Sequence, residues 1–197
     1  MRAFSRRPHP GPGRRGGACA AGVAGAPVSR RLFFALWPDD GVRRALAAWQ
    51  RAHLPDDCRP THPADLHLTL HFLGQVEEVR LRALLALGRG LPLPAFSLDL
   101  ERIGYWSRPR VLWAGPARTP LPLTRLHAQL GRGLQALGFE LDPRPFRPHV
   151  TLARKVRRPP AETAPPSLRW EVREWALLES RPGARPLYHP LARWRAV

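Results

Sequence analysis

An α+β fold with two helix-supported halves is what this chain predicts, and three observations carry that expectation. Apolar runs of strand length interleave with segments whose apolar residues recur every three or four positions. The order strand, helix, motif strand occurs in the first half, and helix, motif strand returns in the second, which points to an internal duplication. The two motif strands share one pattern, His-x-Thr-x, at His67 and again at His149.

Each element follows from local chemistry. The run from Arg31 to Trp37 is apolar, strand-length and closed by Pro38. Asp39 offers an N-cap for a helix to about His53, with Val42, Leu46 and Trp49 on one face. Leu66 to Gly74 alternates and reads as a strand ended by glycine. From Glu77 to about Arg89, Val79, Leu81, Leu84, Leu85 and Leu87 fall at helical spacing. Two strands are predicted near 96–103 and 111–114, then a helix from Leu121 to Leu137 stopped by Gly138. Phe146 to Ala153 is a strand entered through prolines. A Pro-rich connector (Pro159–Pro166) leads to final strands over Leu168–Glu179 and Leu187–Arg195.

At 197 residues the chain can bury one sizeable core, or two lobes sharing one, and a single domain over residues 31–197 is expected. Residues 1–30 read differently. Arg2, Arg6, Arg7, Arg14, Arg15 and Arg30 lie among Gly, Ala and Pro, and no acidic residue precedes Asp39. Without apolar periodicity this segment cannot offset its ordering entropy, so a disordered, dispensable tail is expected. Ala18 to Val28 is too small-sided and glycine-broken for a signal peptide, and no run approaches the roughly 18 apolar residues of a membrane span. Membrane proteins are thereby set aside. The formal charge of +17 is nearly all arginine, Lys155 being the only lysine. Such a surplus favours a polyanionic partner such as RNA, although GC-rich coding produces the same bias. Cys19 and Cys58 form no disulfide framework and no zinc-ligand spacing, which fits a reducing cytoplasm. No cofactor, metal or obligate protein partner is expected.

The chemistry resides in His67-Leu-Thr-Leu70 and His149-Val-Thr-Leu152. On a strand, successive side chains point to opposite faces, so His67 projects with Thr69, and His149 with Thr151. Leu68, Leu70, Val150 and Leu152 project the other way, into a core. With 8 histidines and 6 threonines, random placement yields about 0.2 His-x-Thr occurrences, so the pair carries weight that one copy would not. Two imidazoles with ordinary pKa values near 6.5 suit phosphoester cleavage at neutral pH: one neutral and accepting a proton, the other charged and donating one. Threonine hydroxyls can donate to the non-bridging phosphate oxygens. This chemistry requires no metal, and by itself it leaves open which histidine is the acid.

On these residues the chain resembles the two-histidine phosphoesterase superfamily, specifically the bacterial RNA 2′,3′-cyclic phosphodiesterases historically called 2′-5′ RNA ligases. The resemblance runs from Arg31 to the C-terminus and is carried by Arg31-Leu-Phe-Phe-Ala35, Leu66 to Gly74, Arg110-Val-Leu-Trp-Ala-Gly115 and Arg147-Pro-His-Val-Thr-Leu-Ala-Arg154. It implies a bilobal fold with pseudo-two-fold symmetry: two antiparallel-sheet lobes, backed by helices, around a central cleft. It also implies that His67 is the proton donor, that His149 is the proton acceptor, and that Thr69 and Thr151 bind the phosphate. Hydrolysis would leave an RNA 2′-phosphomonoester. The reverse reaction would join a 5′-hydroxyl to a cyclic end through a 2′-5′ bond.

Three further residues are candidates for substrate contact. Arg154 could place charge near the phosphate, though five residues beyond His149 it has opposite parity if the strand runs straight. His71 shares parity with His67 and Thr69 and would line the cleft mouth. Phe146 could stack on a base. Competing readings are a zinc site from His62, His67 and His71, a non-catalytic RNA-binding module, and a sister activity on ADP-ribose 1″,2″-cyclic phosphate or a 2′-5′ oligonucleotide.

Overall fold

A computed structural model describes residues 28–158 and 164–196. The first strand, β1 (Ser29–Leu36), begins two residues before the expected domain boundary. Arg30 belongs to it and pairs with Glu78 and Glu179, so residues 29 and 30 are not tail. The rest of the proposed tail, residues 1–27, lies outside the described residues, as do residues 159–163 of the connector. Helix α1 (Asp40–His53) starts where the cap predicts, with the Asp39 carboxylate accepting from the Val42 N–H at 2.9 Å. The two-residue β2 (Arg59–Pro60) precedes a 3₁₀ turn at Pro63–Asp65, and β3 (Leu68–Glu77) carries the first motif into the sheet. The helix expected from Glu77 opens as a 3₁₀ turn, Glu78–Arg80, before α2 (Leu81–Arg89).

Two expected strands each prove to be two. Residues 96–103 divide into β4 (Phe96–Leu100) and β5 (Arg102–Trp106), flanking Glu101. After β6 (Val111–Gly115), α3 (Leu121–Ala136) and β7 (Val150–Arg154), the stretch 168–179 divides at Arg173 into β8 (Leu168–Val172) and β9 (Glu174–Ser180). The last strand is β10 (Tyr188–Arg195). In both cases one exposed charged residue absorbs a change of sheet: β4 and β8 pair as a separate ribbon, whereas β5 and β9 join the main sheet. No glycine or proline marks either break, and the period-two alternation runs on through Glu101.

The main sheet has eight strands in the order β10-β9-β1-β3-β7-β6-β5, with β2 alongside β7. Its halves meet at one bridge, Leu68 opposite Val150. The duplication is visible on either side of that seam. β1-α1-β3 and β6-α3-β7 are each a strand, a helix and an antiparallel motif strand, and β9 and β5 flank β1 and β6 on the outside. The helices are exchanged between halves. Gln50 of α1 donates to Leu152 O on β7, and His71 of β3 donates to His127 O on α3. Helix α3 ends in a Schellman motif. Gly138 at φ 77 places its N–H on Gln135 O, and Phe139 N–H reaches Leu134 O, as the stop signal predicted.

One large core lies on the helix side of the sheet and includes Leu68, Leu70, Val150 and Leu152, all buried. Each contributes about 1.5–3 kcal/mol by leaving water, so the motif strands are held by their apolar alternation. A smaller cluster of Phe33, Ala35, Trp37, Ala176 and Leu178 lies on the other face, where the polar motif residues project.

Candidate active site

The Leu68–Val150 bridge brings the two motifs together. Carried one residue either way, that antiparallel register sets His67 opposite Thr151 and Thr69 opposite His149. All four polar side chains then share the face away from the main core. The two halves orient their histidines identically. His67 Nδ1–H donates to Asp65 O at 2.6 Å, and His149 Nδ1–H donates to Arg147 O at 2.7 Å, in each case the carbonyl two residues back. Both Nε2 atoms are thereby left for chemistry, and that of His67 lies 3.1 Å from Thr69 Oγ1. The Asp65 carbonyl is itself fixed, because the buried Asp65 carboxylate accepts from the Leu187 and Tyr188 N–H groups at 3.1 and 3.0 Å.

Aromatic rings wall each imidazole. His67 packs against Phe33 (5.0 Å between centroids), edge-on to Tyr188 (4.8 Å) and near Trp37 (6.5 Å). His149 meets Trp106 edge-on at 4.6 Å and Trp113 at 6.3 Å. This burial changes the electrostatics expected from the sequence. It pushes His67 down from 6.5 to about 4, with the charges of His149 and Arg154 adding to the effect and the Asp65 carbonyl opposing it. His149 is also lowered, by burial first and by Arg154, against the Arg147 carbonyl. Two imidazoles at ordinary pKa are therefore not what the site holds. Burial therefore biases both rings towards the neutral form at pH 7, and an anion between them would favour a proton on either.

Strand bulges decide the other candidates. On β3 the register jumps from Ala35–Thr69 to Phe34–His71, leaving Leu70 as an extra residue. His71 is therefore turned to the core face, away from His67, and the parity argument that put it at the cleft mouth fails. It is buried, stacked on His127 at 4.1 Å. Phe146 stacks on the other side of His127 at 3.9 Å and packs against the core, so this aromatic also faces α3. The same bulge recurs on β7, where Trp113 faces Thr151 and Leu112 faces Ala153, skipping Leu152. Here it has the opposite consequence. The parity that a straight strand would give Arg154 is reset, and Arg154 joins the face of the motif residues, where its charge acts on both histidines. The carbonyl of bulged Leu152 is taken by Thr61 N–H at 2.9 Å and Gln50 Nε2 at 2.7 Å, so α1 holds the distortion in place.

Sequence reasoning missed the aromatic walls, Asp65, and Phe72 with Arg31. Phe72 is 51 % exposed on the cleft face, with the Arg31 guanidinium 4.9 Å above its ring. Its signal was its place opposite Phe33, which requires the bulged register. The zinc alternative is not assembled. His71 lies across the sheet from His67, and the His62 ring accepts from Ala64 N–H at 3.2 Å. Among the described residues no group of three or more His, Cys, Asp or Glu could hold a metal ion.

NMR titration of the free protein tests this electrostatic account. His67 should titrate at about 4 and His149 below 6.5. Arg154→Gln removes a cation that disfavours protonation, so both values should rise. Unchanged values would place Arg154 outside the cleft.

A cleft whose two symmetry-related strands present His-x-Thr on one face defines a two-histidine phosphoesterase. The chain belongs to the 2′-5′ RNA ligase superfamily, whose family model matches residues 38–184. It is 36% identical over 169 residues to the RNA 2′,3′-cyclic phosphodiesterase of Escherichia coli, spanning 84% of this chain and 96% of that protein. It is 39% identical over 165 residues to the protein of the same name from Thermus thermophilus, spanning 76% and 81%. The crystal structure of E. coli LigT complexed with 3′-AMP superposes with a TM-score of 0.77 at 35% identity, covering 86% of this chain and 99% of that one. No helix among the described residues is long and apolar enough to cross a membrane.

Proposed function

We propose that this protein hydrolyses RNA 2′,3′-cyclic phosphodiester ends to 2′-phosphomonoesters by two-histidine acid–base catalysis. The observation that carries the proposal is the Leu68–Val150 bridge, which sets two Nε2 atoms and two threonine hydroxyls on one face. The names of its relatives and the nucleotide bound in E. coli LigT support a nucleotide substrate.

In this reading the anionic phosphodiester enters between the motifs and raises both histidine pKa values, offsetting Arg154 and burial. His149 Nε2 takes a proton from water as the water oxygen bonds to phosphorus. The bond from phosphorus to the 3′ oxygen breaks in line, and His67 Nε2–H delivers its proton to that oxygen. Thr69, Thr151 and Arg154 hold the charge on the non-bridging oxygens. One proton is gained and one lost, and exchange with solvent restores both imidazoles. With a 5′-hydroxyl in place of water as the nucleophile, the same groups form a 2′-5′ bond to phosphorus as the bond to the 3′ oxygen breaks. Phe72, capped by Arg31, offers a face on which a base can stack.

Product identity tests the reading. RNA ending in a 2′,3′-cyclic phosphate should yield 2′-phosphate ends, resistant to an enzyme that removes only 3′-phosphates. A 3′-phosphate product would reverse the orientation of the ribose. Absence of turnover would sink the activity itself.

A further inference from the structure

We propose that the groove between α1 and the Pro63–Asp65 turn is a second anion-binding site that carries the RNA backbone leading into the cleft. The proposal rests on the cyclic phosphodiesterase activity above and extends it from the terminal nucleotide to the strand behind it.

The groove encloses about 480 Å³, lined on one side by Asp40, Arg43, Arg44, Ala47 and Arg51 and on the other by His62 with the turn that follows. The five α1 residues fall at i, i+3, i+4, i+7 and i+11, a single stripe of the helix. Three guanidinium groups thus share one wall of the cavity with a single carboxylate. Arg44 and Arg51 are exposed and have no ionic partner among the described residues. A single-strand phosphate backbone is the ligand that such a charge pattern fits, because each contact neutralises a phosphate and releases a counterion.

Arg43 makes the groove more than a basic surface. Its side chain is only 16% exposed, and its Nε and Nη2 are buried without a hydrogen-bond partner among the described residues. The stack on Trp37, at 4.3 Å, covers the guanidinium face. Among the described residues its one ionic contact is Nη1 to Asp40 at 3.8 Å, and Asp40 is 84% exposed, so that pair contributes little. A half-desolvated cation so weakly held by its nearest carboxylate, with Asp39 and Glu174 acting only from farther off, draws an anion to its remaining accessible edge.

Position links the groove to the active site. Trp37 packs against both Arg43 and His67, and the His62–Ala64 wall runs on through Asp65 to His67 itself. A strand whose cyclic end occupies the His67–His149 cleft therefore has a basic channel one indole ring away.

The test compares two substrates and one binding probe in wild type and an R44E/R51E variant. Both positions are exposed, so the fold is expected to stand. With a 2′,3′-cyclic mononucleotide, kcat and KM should be unchanged. With an RNA hexamer ending in a 2′,3′-cyclic phosphate, KM should rise about tenfold or more at constant kcat. The slope of log(kcat/KM) against log salt should shrink by about 1.4, or 0.7 per charge removed. Anisotropy titration of a labelled single-stranded hexamer with a 3′-hydroxyl reads the groove without any chemistry, and its Kd should rise by a similar factor. Unchanged hexamer affinity overturns the groove even where the cyclic substrates turn over. Equal losses on mononucleotide and hexamer would overturn it too, by showing that the variant damages the cleft. If wild type turns over neither cyclic substrate but the hexamer Kd still rises, the groove stands and the activity assignment falls.

Discussion

Replacing either histidine is expected to remove most of the activity: His67→Ala and His149→Ala should each lower kcat by about 10²–10⁴-fold on a 2′,3′-cyclic nucleotide. In the proposed mechanism each imidazole has its own task in one displacement, and neither has a neighbour among the described residues able to take it over. His71, the residue nearest in sequence that could substitute, is buried beneath α3 on the opposite face. The double variant should fall far short of the product of the two losses, because the groups act as a unit in one transition state. Single-turnover rates on the purified variants are the direct measurement. Full activity in either single variant would show that the displacement does not pass through that histidine.

The pKa values sharpen this expectation. Burial holds both imidazoles below their ordinary range, so an anionic substrate favours the combination of one charged and one neutral ring that the proposed mechanism needs. The proposed mechanism thus couples substrate binding to catalytic protonation. The walls that lower the pKa values, Phe33, Trp37 and Tyr188 around one ring and Trp106 and Trp113 around the other, also fix both rings.

The four motif residues were legible in the sequence because their placement needs only the two-residue period of a strand and an apolar alternation strong enough to fix the faces. The helices were legible for equally local reasons, as the Asp39 cap and the Gly138 stop show. What failed to be legible depends on partner strands. Leu70 and Leu152 are bulged by the registers of β1 and β6, and nothing in His-x-Thr-Leu announces it. One unforeseen bulge turned His71 out of the cleft, and its symmetry mate turned Arg154 in. The breaks at Glu101 and Arg173 were hidden in the same way, since a change of sheet is decided by the β4–β8 pairing rather than by a turn residue. Tyr188, more than a hundred positions from His67, enters its wall only because the edge strand β10 starts beside Asp65.

The contact that ties β6 to the second motif yields a second large expected effect, from a residue that touches no substrate. A Cβ placed on Gly115 would lie 2.7 Å from Pro148 O and 3.2 Å from the Trp113 ring. The nearer atom is backbone, one residue before His149, so it cannot rotate aside. Gly115→Ala must therefore displace the segment whose Arg147 carbonyl holds His149 Nδ1, together with one of the rings that packs against that imidazole. In-line displacement tolerates little error in the position of its base, and a shift of about 1 Å can cost about 10²-fold. Gly115→Ala should accordingly lower kcat by about that factor with KM nearly constant. Gly90→Ala is the matched control, because its Cβ meets nothing nearer than 3.6 Å, and kcat there should be unchanged. Wild-type kcat in Gly115→Ala would mean that β6 and the Pro148 backbone can part without moving His149, and that the close approach of these strands does not set the position of the base.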